Sequence, residues 1–90
     1  VSLTRTLAIE LARKGITVNA VAPGIVDTAL IQSYSDEQRQ RLEKSVPMGR
    51  IGQVEDVAGT VGFLADEANS YVTGQLIYVC GGRSLSSPSV

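Results

Sequence analysis

The run Ile16-Thr17-Val18-Asn19-Ala20-Val21-Ala22 constrains this chain more than any other stretch, because it ends abruptly at Pro23-Gly24. Val and Ile suit a pleated, buried strand. Apolar residues fall on both faces, with Ile16, Val18, Ala20 and Ala22 on one and Val21 on the other. That is the pattern of a parallel strand covered on both sides. Proline has no N–H to give to a ladder, so Pro23-Gly24 stops the strand and opens the loop Ile25-Val26-Asp27-Thr28. In parallel α/β sheets, ligands bind just beyond the carboxyl ends of strands. Asn19–Thr28 is therefore the first place to look for function. Asn19 itself is a polar group inside an apolar run. Its amide is expected to be hydrogen-bonded, pinning a neighbouring loop rather than acting in catalysis.

A parallel strand needs a partner, and Gln75–Val79, entered through the turn Tyr71-Val72-Thr73-Gly74, supplies one. Between the two strands, Ala29–Tyr34 reads as a short apolar turn of helix. Ser35 with Gln38 three residues later then forms a capping box opening a helix over Asp36–Ser45. That helix is nearly all polar, with Leu42 its only large apolar residue, so little holds it down. A solvated segment placed straight after a ligand-facing loop reads as a lid, with a decorative surface insertion as the alternative. The connector Val46–Gly52 is punctuated by Pro47 and two glycines. The next helix, Val54–Ala65, shows a core face of Val57, Val61, Leu64 and Ala68. Gly59 and Gly62 lower its helix propensity and make sense where a backbone or partner comes close.

Upstream, Leu3, Leu7 and Leu11 recur every four residues over a helix at 1–14, which Gly15 stops in a left-handed conformation. No capping residue precedes Val1, so the pattern reads as a helix cut in its middle. Its wide apolar arc implies deep burial, or packing on a sheet with one side and on another subunit with the next. Two strands and one crossover do not make a stable sheet, since about three or more strands are needed. The chain is expected to be the end of a larger α/β domain, with a loose, Ser-rich tail at 83–90.

Composition narrows the chemistry. Ninety residues allow one small domain, and 43% hydrophobic content is that of a globular protein. A net charge of −1 gives no argument for nucleic acid or an anionic membrane, and neither a membrane-length apolar run nor a signal peptide is present. With no histidine and the single cysteine Cys80, Cys-cluster metal sites and Ser-His catalysis are excluded. A reducing, cytoplasmic setting is the default expectation.

Several segments then carry a resemblance. They are Leu3-Thr4-Arg5-Thr6-Leu7-Ala8 with Glu10-Leu11-Ala12, Ile16-Thr17-Val18-Asn19 through Pro23-Gly24 and Thr28, and Pro47-Met48-Gly49-Arg50-Ile51-Gly52. They continue with Glu55-Asp56-Val57-Ala58, Phe63-Leu64-Ala65 and Tyr71-Val72-Thr73-Gly74-Gln75. In this order, from Val1 to about Gly82, they resemble the carboxyl-terminal portion of the classical short-chain dehydrogenase/reductases.

The resemblance implies one Rossmann-type, doubly wound parallel α/β domain over residues 1–82, with a lid insertion at about 29–46. It also implies NAD or NADP as cofactor, hydride transfer between an alcohol and a ketone, and a homo-oligomer, dimer or tetramer. Pro23 and Gly24 resemble the residues that bring the chain alongside the cofactor. Val26 resembles the position whose backbone N–H and C=O pair with the nicotinamide carboxamide, and Thr28 the residue whose hydroxyl bonds the carboxamide or a phosphate. Ile25 is expected nearby, with Leu30, Ile31 and Tyr34 as apolar substrate contacts on the lid. The family's glycine-rich turn, structural Asn, catalytic Ser and Tyr-x-x-x-Lys have no counterpart here. Tyr34, Tyr71 and Tyr78 are followed four residues later by Gln38, Gln75 and Gly82. No catalytic residue is nominated, and residues 1–90 alone are expected to be inactive. The alternative is a truncated chain competent only for subunit association. Two departures stand out: Val54 where a proline is common, and Cys80 where an Asp commonly precedes the paired glycines. Cys80 is expected to be a buried, inert thiol at a strand end.

Overall fold

The computed structural model describes residues 1–86. Helix α1 covers Ser2–Leu11 and tightens into a 3-10 turn at Ala12–Lys14. It ends at Gly15, whose φ of 75° is the left-handed conformation that only glycine adopts without strain. Strand β1 is Ala20–Pro23, followed by the short helix α2 at Ala29–Gln32 and by α3 at Asp36–Lys44. Helix α4 is Val54–Ala65, a 3-10 turn covers Glu67–Asn69, and strand β2 is Leu76–Val79. A last short helix, α5, spans Arg83–Ser86.

The two strands pair in parallel, with Ala20 opposite Leu76 and Pro23 opposite Val79, and α4 packs on both. The chain therefore contains the expected parallel pair with a crossover helix. The bounds of the first strand differ from the expected Ile16–Ala22 at both ends. Val18 and Asn19 lie beside Val72–Gln75, which is a turn rather than a strand. Single contacts replace the ladder there: Val18 N–H donates to Thr73 Oγ1 at 3.0 Å, and Gly74 N–H donates to the Val18 carbonyl at 2.8 Å. Asn19 does pin this turn. Its Nδ2 donates to the Val72 carbonyl at 3.1 Å and its Oδ1 accepts from Gln75 N–H at 3.0 Å. At the other end Pro23 belongs to the strand. The register puts the bond to the Val79 carbonyl on Gly24 N–H at 2.9 Å, so β2 asks for no N–H from proline.

Little of the apolar pattern is covered. Among the described residues, the buried hydrophobic ones are Ala8, Val46 and Ile51, two of them from the connector rather than from a helix or strand. Leu3 and Ile9 are exposed, and Phe63 and Val61, the latter expected in the core face of α4, are each half exposed at 50%. The accessible surface is 6509 Å². A compact domain of this mass exposes about 5000 Å² by the usual scaling. The helix and sheet faces that the sequence marks as buried are thus open in this chain by itself. Among the described residues, no helix is long and apolar enough to cross a membrane. Arg83–Ser86 form a helical turn instead of a loose tail, and the rest of that tail, 87–90, lies outside the described residues.

Candidate functional site

Beyond Pro23 the chain bends across the carboxyl end of the two-stranded sheet. Gly24 makes the bend possible by its size: a Cβ there would sit 2.8 Å from Cys80 Cβ and 2.9 Å from Cys80 Cα. Next, Gly52 of the connector donates its N–H to the Ile25 carbonyl at 2.9 Å and accepts from Asp27 N–H at 2.8 Å, forming a parallel bridge opposite Val26. In such a bridge the residues flanking Val26 make the bonds, so the N–H and C=O of Val26 face the other edge. There the carbonyl accepts from Thr28 N–H at 2.8 Å, and the N–H has no partner among the described residues. Thr28 is the N-cap residue of α2 and is exposed, yet its side chain makes no capping bond. Pro23, Gly24, Ile25, Val26 and Thr28 therefore share one bend, with an unpaired N–H and an unused hydroxyl at its outer edge.

The expected lid follows directly. Leu30 is exposed, while Ile31 and Tyr34 are half-buried. Ser35 and Gln38 form the expected reciprocal cap, with Gln38 N–H to Ser35 Oγ at 3.1 Å and Ser35 N–H to Gln38 Oε1 at 2.9 Å. The segment is tied down more firmly than its polarity implied. Arg39 Nη1 bonds both Asp27 Oδ1 at 3.3 Å and the Ile31 carbonyl at 3.2 Å. At the far end, Ser45 Oγ accepts from Arg83 Nε at 3.3 Å, and Val46 is buried against Gly81.

A cleft of about 560 Å³ opens on the α4 and α5 side of the strand ends, lined among others by Ile25, Met48, Arg50, Asp56, Tyr78 and Cys80. Of the site residues expected from the sequence, Ile25 alone lines it. Arg50 clasps Asp56 through two nitrogens, at 2.9 and 3.3 Å, and Asp56 also accepts from Gln53 N–H at 2.7 Å. The Arg50 bond first, and the Gln53 N–H second, hold the Asp56 carboxyl below its usual range. A carboxylate whose folded value is depressed stabilises the fold fully above its unfolded value and loses that contribution as pH falls through the folded one. Urea midpoints of the full-length protein should decline with falling pH below about 4, and Asp56→Asn should flatten that decline. An equal slope in the variant would mean other carboxylates carry it.

Cys80 is half-buried rather than fully buried. Its Sγ lies 3.3 Å from Ser84 Oγ, and chiefly that hydroxyl, with nearby backbone N–H groups, lowers its pKa. The full burial expected from the sequence is thus corrected to partial exposure. The sequence also gave no sign of the roles of Asp27, Arg39 and Gly52. The glycine of the connector was visible, but nothing local says which strand end it bridges. Likewise Arg39 and Arg41 sit on the same polar helix: Arg41 meets Glu37 by the local spacing of four, whereas only the fold sends Arg39 to Asp27.

Comparison with known proteins agrees with this architecture. A family model described as enoyl-(acyl carrier protein) reductase matches residues 1–84. A (2S)-[(R)-hydroxy(phenyl)methyl]succinyl-CoA dehydrogenase subunit of Thauera aromatica is 51% identical over 85 residues, 94% of this chain and 34% of that protein. The 3-oxoacyl-[acyl-carrier-protein] reductase FabG of Pseudomonas aeruginosa is 47% identical over 83 residues, 92% of this chain and 34% of its own length. FabG of Staphylococcus aureus strain N315 is 46% identical over 82 residues, 91% and 33%. The chain thus spans about a third of the length of the curated relatives it matches. With the parallel βαβ unit and the ordered motifs from Leu3 to Gln75, these matches establish that the chain belongs to the short-chain dehydrogenase/reductase family, with the α/β architecture of a Rossmann-type sheet.

Proposed function

We propose that this chain forms the nicotinamide-side loop and the substrate lid of an NAD(P)-dependent oxidoreductase that interconverts an alcohol and a ketone. The observation that carries the reading is the outer edge of the bend at Val26. An unpaired N–H, a carbonyl with one lone pair left and the unused Thr28 hydroxyl together match the donors and acceptors of a carboxamide. The nicotinamide cofactor, when bound, supplies or accepts the hydride. Val26 and Thr28 hold its carboxamide, Pro23, Gly24 and Ile25 set the bend beside it, and Leu30, Ile31 and Tyr34 offer apolar surface to the substrate. The relatives' names share an oxo or hydroxyl group on an acyl chain carried by CoA or acyl carrier protein. An acyl thioester of that kind is the substrate class taken here. A cytoplasmic, reducing setting, in which Cys80 stays a thiol, completes the reading.

Thr28→Ala tests it. The side chain caps nothing, so stability should stay within about 0.5 kcal/mol, as for other surface changes. Loss of one hydrogen bond to the cofactor should weaken NAD(P)H binding by the full-length protein about tenfold. Unchanged cofactor affinity would count against the assignment. A second reading, a chain competent for subunit association, draws on α4. Val61 and Phe63 are each half exposed, and a Cβ at Gly59 or Gly62 would meet nothing within 4 Å. The two readings are compatible if the protein is a homo-oligomer.

A further inference from the structure

We propose that Arg39 is a positioning residue that fastens the α2–α3 segment to the loop carrying Val26 and Thr28, and so sets the lid over the strand end. The proposal rests on the reading of that loop as the cofactor edge. Asp27 lies between Val26 and Thr28, and its backbone is already fixed by the bond from its N–H to the Gly52 carbonyl. Its carboxylate therefore has a defined direction, and Arg39 meets it from the first turns of α3. The same nitrogen holds the Ile31 carbonyl at the last turn of α2. One guanidinium thus joins three pieces of chain: the strand-end loop, α2 and α3.

Among the described residues, the pair is more sheltered than the other two ion pairs. Its side chains are 29% and 18% exposed, against 75% and 77% for Arg41–Glu37 and 53% and 35% for Arg50–Asp56. Shelter matters because exposed pairs are screened and contribute little. Neither α2 nor α3 contains a buried residue. Among the described residues, the other hydrogen bonds of residues 29–38 stay within 28–42, so no second polar tie anchors that stretch. The opposite end of α3 is held separately, by Arg83 on Ser45 and by Val46 in the core. With Arg39 released, the segment would pivot on that anchored end.

Lysine can copy the arrangement in part. Both bonds come from one nitrogen, and an ammonium carries three donors, but its shorter, more flexible stem lacks the plane that holds Nη1 between Asp27 and the Ile31 carbonyl. The experiment measures amide hydrogen exchange and steady-state kinetics on the full-length protein and its Arg39→Ala, Arg39→Lys and Asp27→Asn variants. Arg39→Ala is expected to speed exchange across residues 29–38 about tenfold, with α4 and β2 unchanged. KM for cofactor and for the carbonyl substrate should rise about tenfold while kcat stays within about twofold, because positioning is lost and the reacting groups are not. Asp27→Asn should show the same pattern more weakly, and Arg39→Lys should recover part of it. Unchanged exchange in 29–38, or a uniform rise that includes α4 and β2, overturns the proposal. If the unaltered protein fails to bind NAD(P)H, the functional reading falls, while the exchange data still decide whether Arg39 holds the segment.

Discussion

Gly24→Ala should destabilise the full-length protein by about 3 kcal/mol, and with it the candidate cofactor edge. Carbon atoms rest about 3.5–4.0 Å apart. The added methyl would lie 2.8 Å from Cys80 Cβ and 2.9 Å from Cys80 Cα, and the second of these is backbone. No rotamer change relieves a clash with a Cα. The end of β2 must move away, and the bond from Gly24 N–H to the Val79 carbonyl lengthens with it. Overpacking of this kind costs about 1–3 kcal/mol and a lost hydrogen bond about 1 kcal/mol. Val26 and Thr28 hang from Gly24, so NAD(P)H affinity should fall more than tenfold, further than in Thr28→Ala. The reading is a lower denaturant midpoint at unchanged slope. Adding Cys80→Gly should recover only part of the loss, since it removes the Cβ contact and leaves the Cα one. A loss below about 0.5 kcal/mol, the range of neutral surface changes, would mean that the two strand ends do not touch.

That close approach also shows which parts of the molecule local rules reach. Gly15, the Ser35–Gln38 cap and the Asn19 amide were legible because each obeys a constraint written within a few residues: a left-handed stop, a spacing of three, a polar group in an apolar run. The parallel pairing followed from the apolar run on both faces of the first strand. What local rules miss are relations set by the fold. The start of β1 depends on what lies beside residues 16–19, and the turn Val72–Gln75 offers side chains and a φ of 72° at Gly74 instead of a ladder. Arg39 and Asp27 are twelve positions apart, and Asp36, Glu37 and Glu43 all lie closer to Arg39 in the chain. Val46 and Ile51 sit in a Pro- and Gly-rich connector, so their burial is visible only once the connector folds over the strand ends.

The exposed apolar residues teach a related point. Leu3 on α1 and Val61 on α4 follow the periodicity of covered faces, yet this chain does not cover them. Periodicity reports which faces are to be buried and is silent about what buries them. The relatives that this chain matches are about three times as long as it is. The bend at Val26 differs in kind. Its fixed geometry arises from Gly24, Gly52 and Asp27, all within this chain, so the candidate site's cofactor edge is built locally even where the hydrophobic core is not.

Asn19 offers a test of how the two strands are joined at their other end, and its pH dependence has the opposite sign to that of Asp56. The amide donates to the Val72 carbonyl and accepts from Gln75 N–H, a pairing that needs both halves of an Asn side chain. In Asn19→Asp the carboxylate still accepts from Gln75 but faces the Val72 carbonyl with a second acceptor. Loss of one bond and repulsion between the oxygens should destabilise the full-length protein by about 2 kcal/mol at neutral pH. That repulsion also raises the new carboxyl's folded pKa above its unfolded value of about 3.9. A group raised on folding favours the folded state in its protonated form, so the deficit should shrink as pH falls through the raised value. Once protonated, the carboxyl can donate to the Val72 carbonyl and restore the missing bond. The comparison is urea unfolding of the two proteins from pH 7 to pH 4, with Asn19→Ala as reference. Asn19→Ala should stay destabilised by about 1–2 kcal/mol throughout, since it leaves two polar groups unpaired at every pH. If the Asn19→Asp deficit is constant with pH, the side chain does not face the Val72 carbonyl, and the turn entering β2 is held by Thr73 and Gly74 alone.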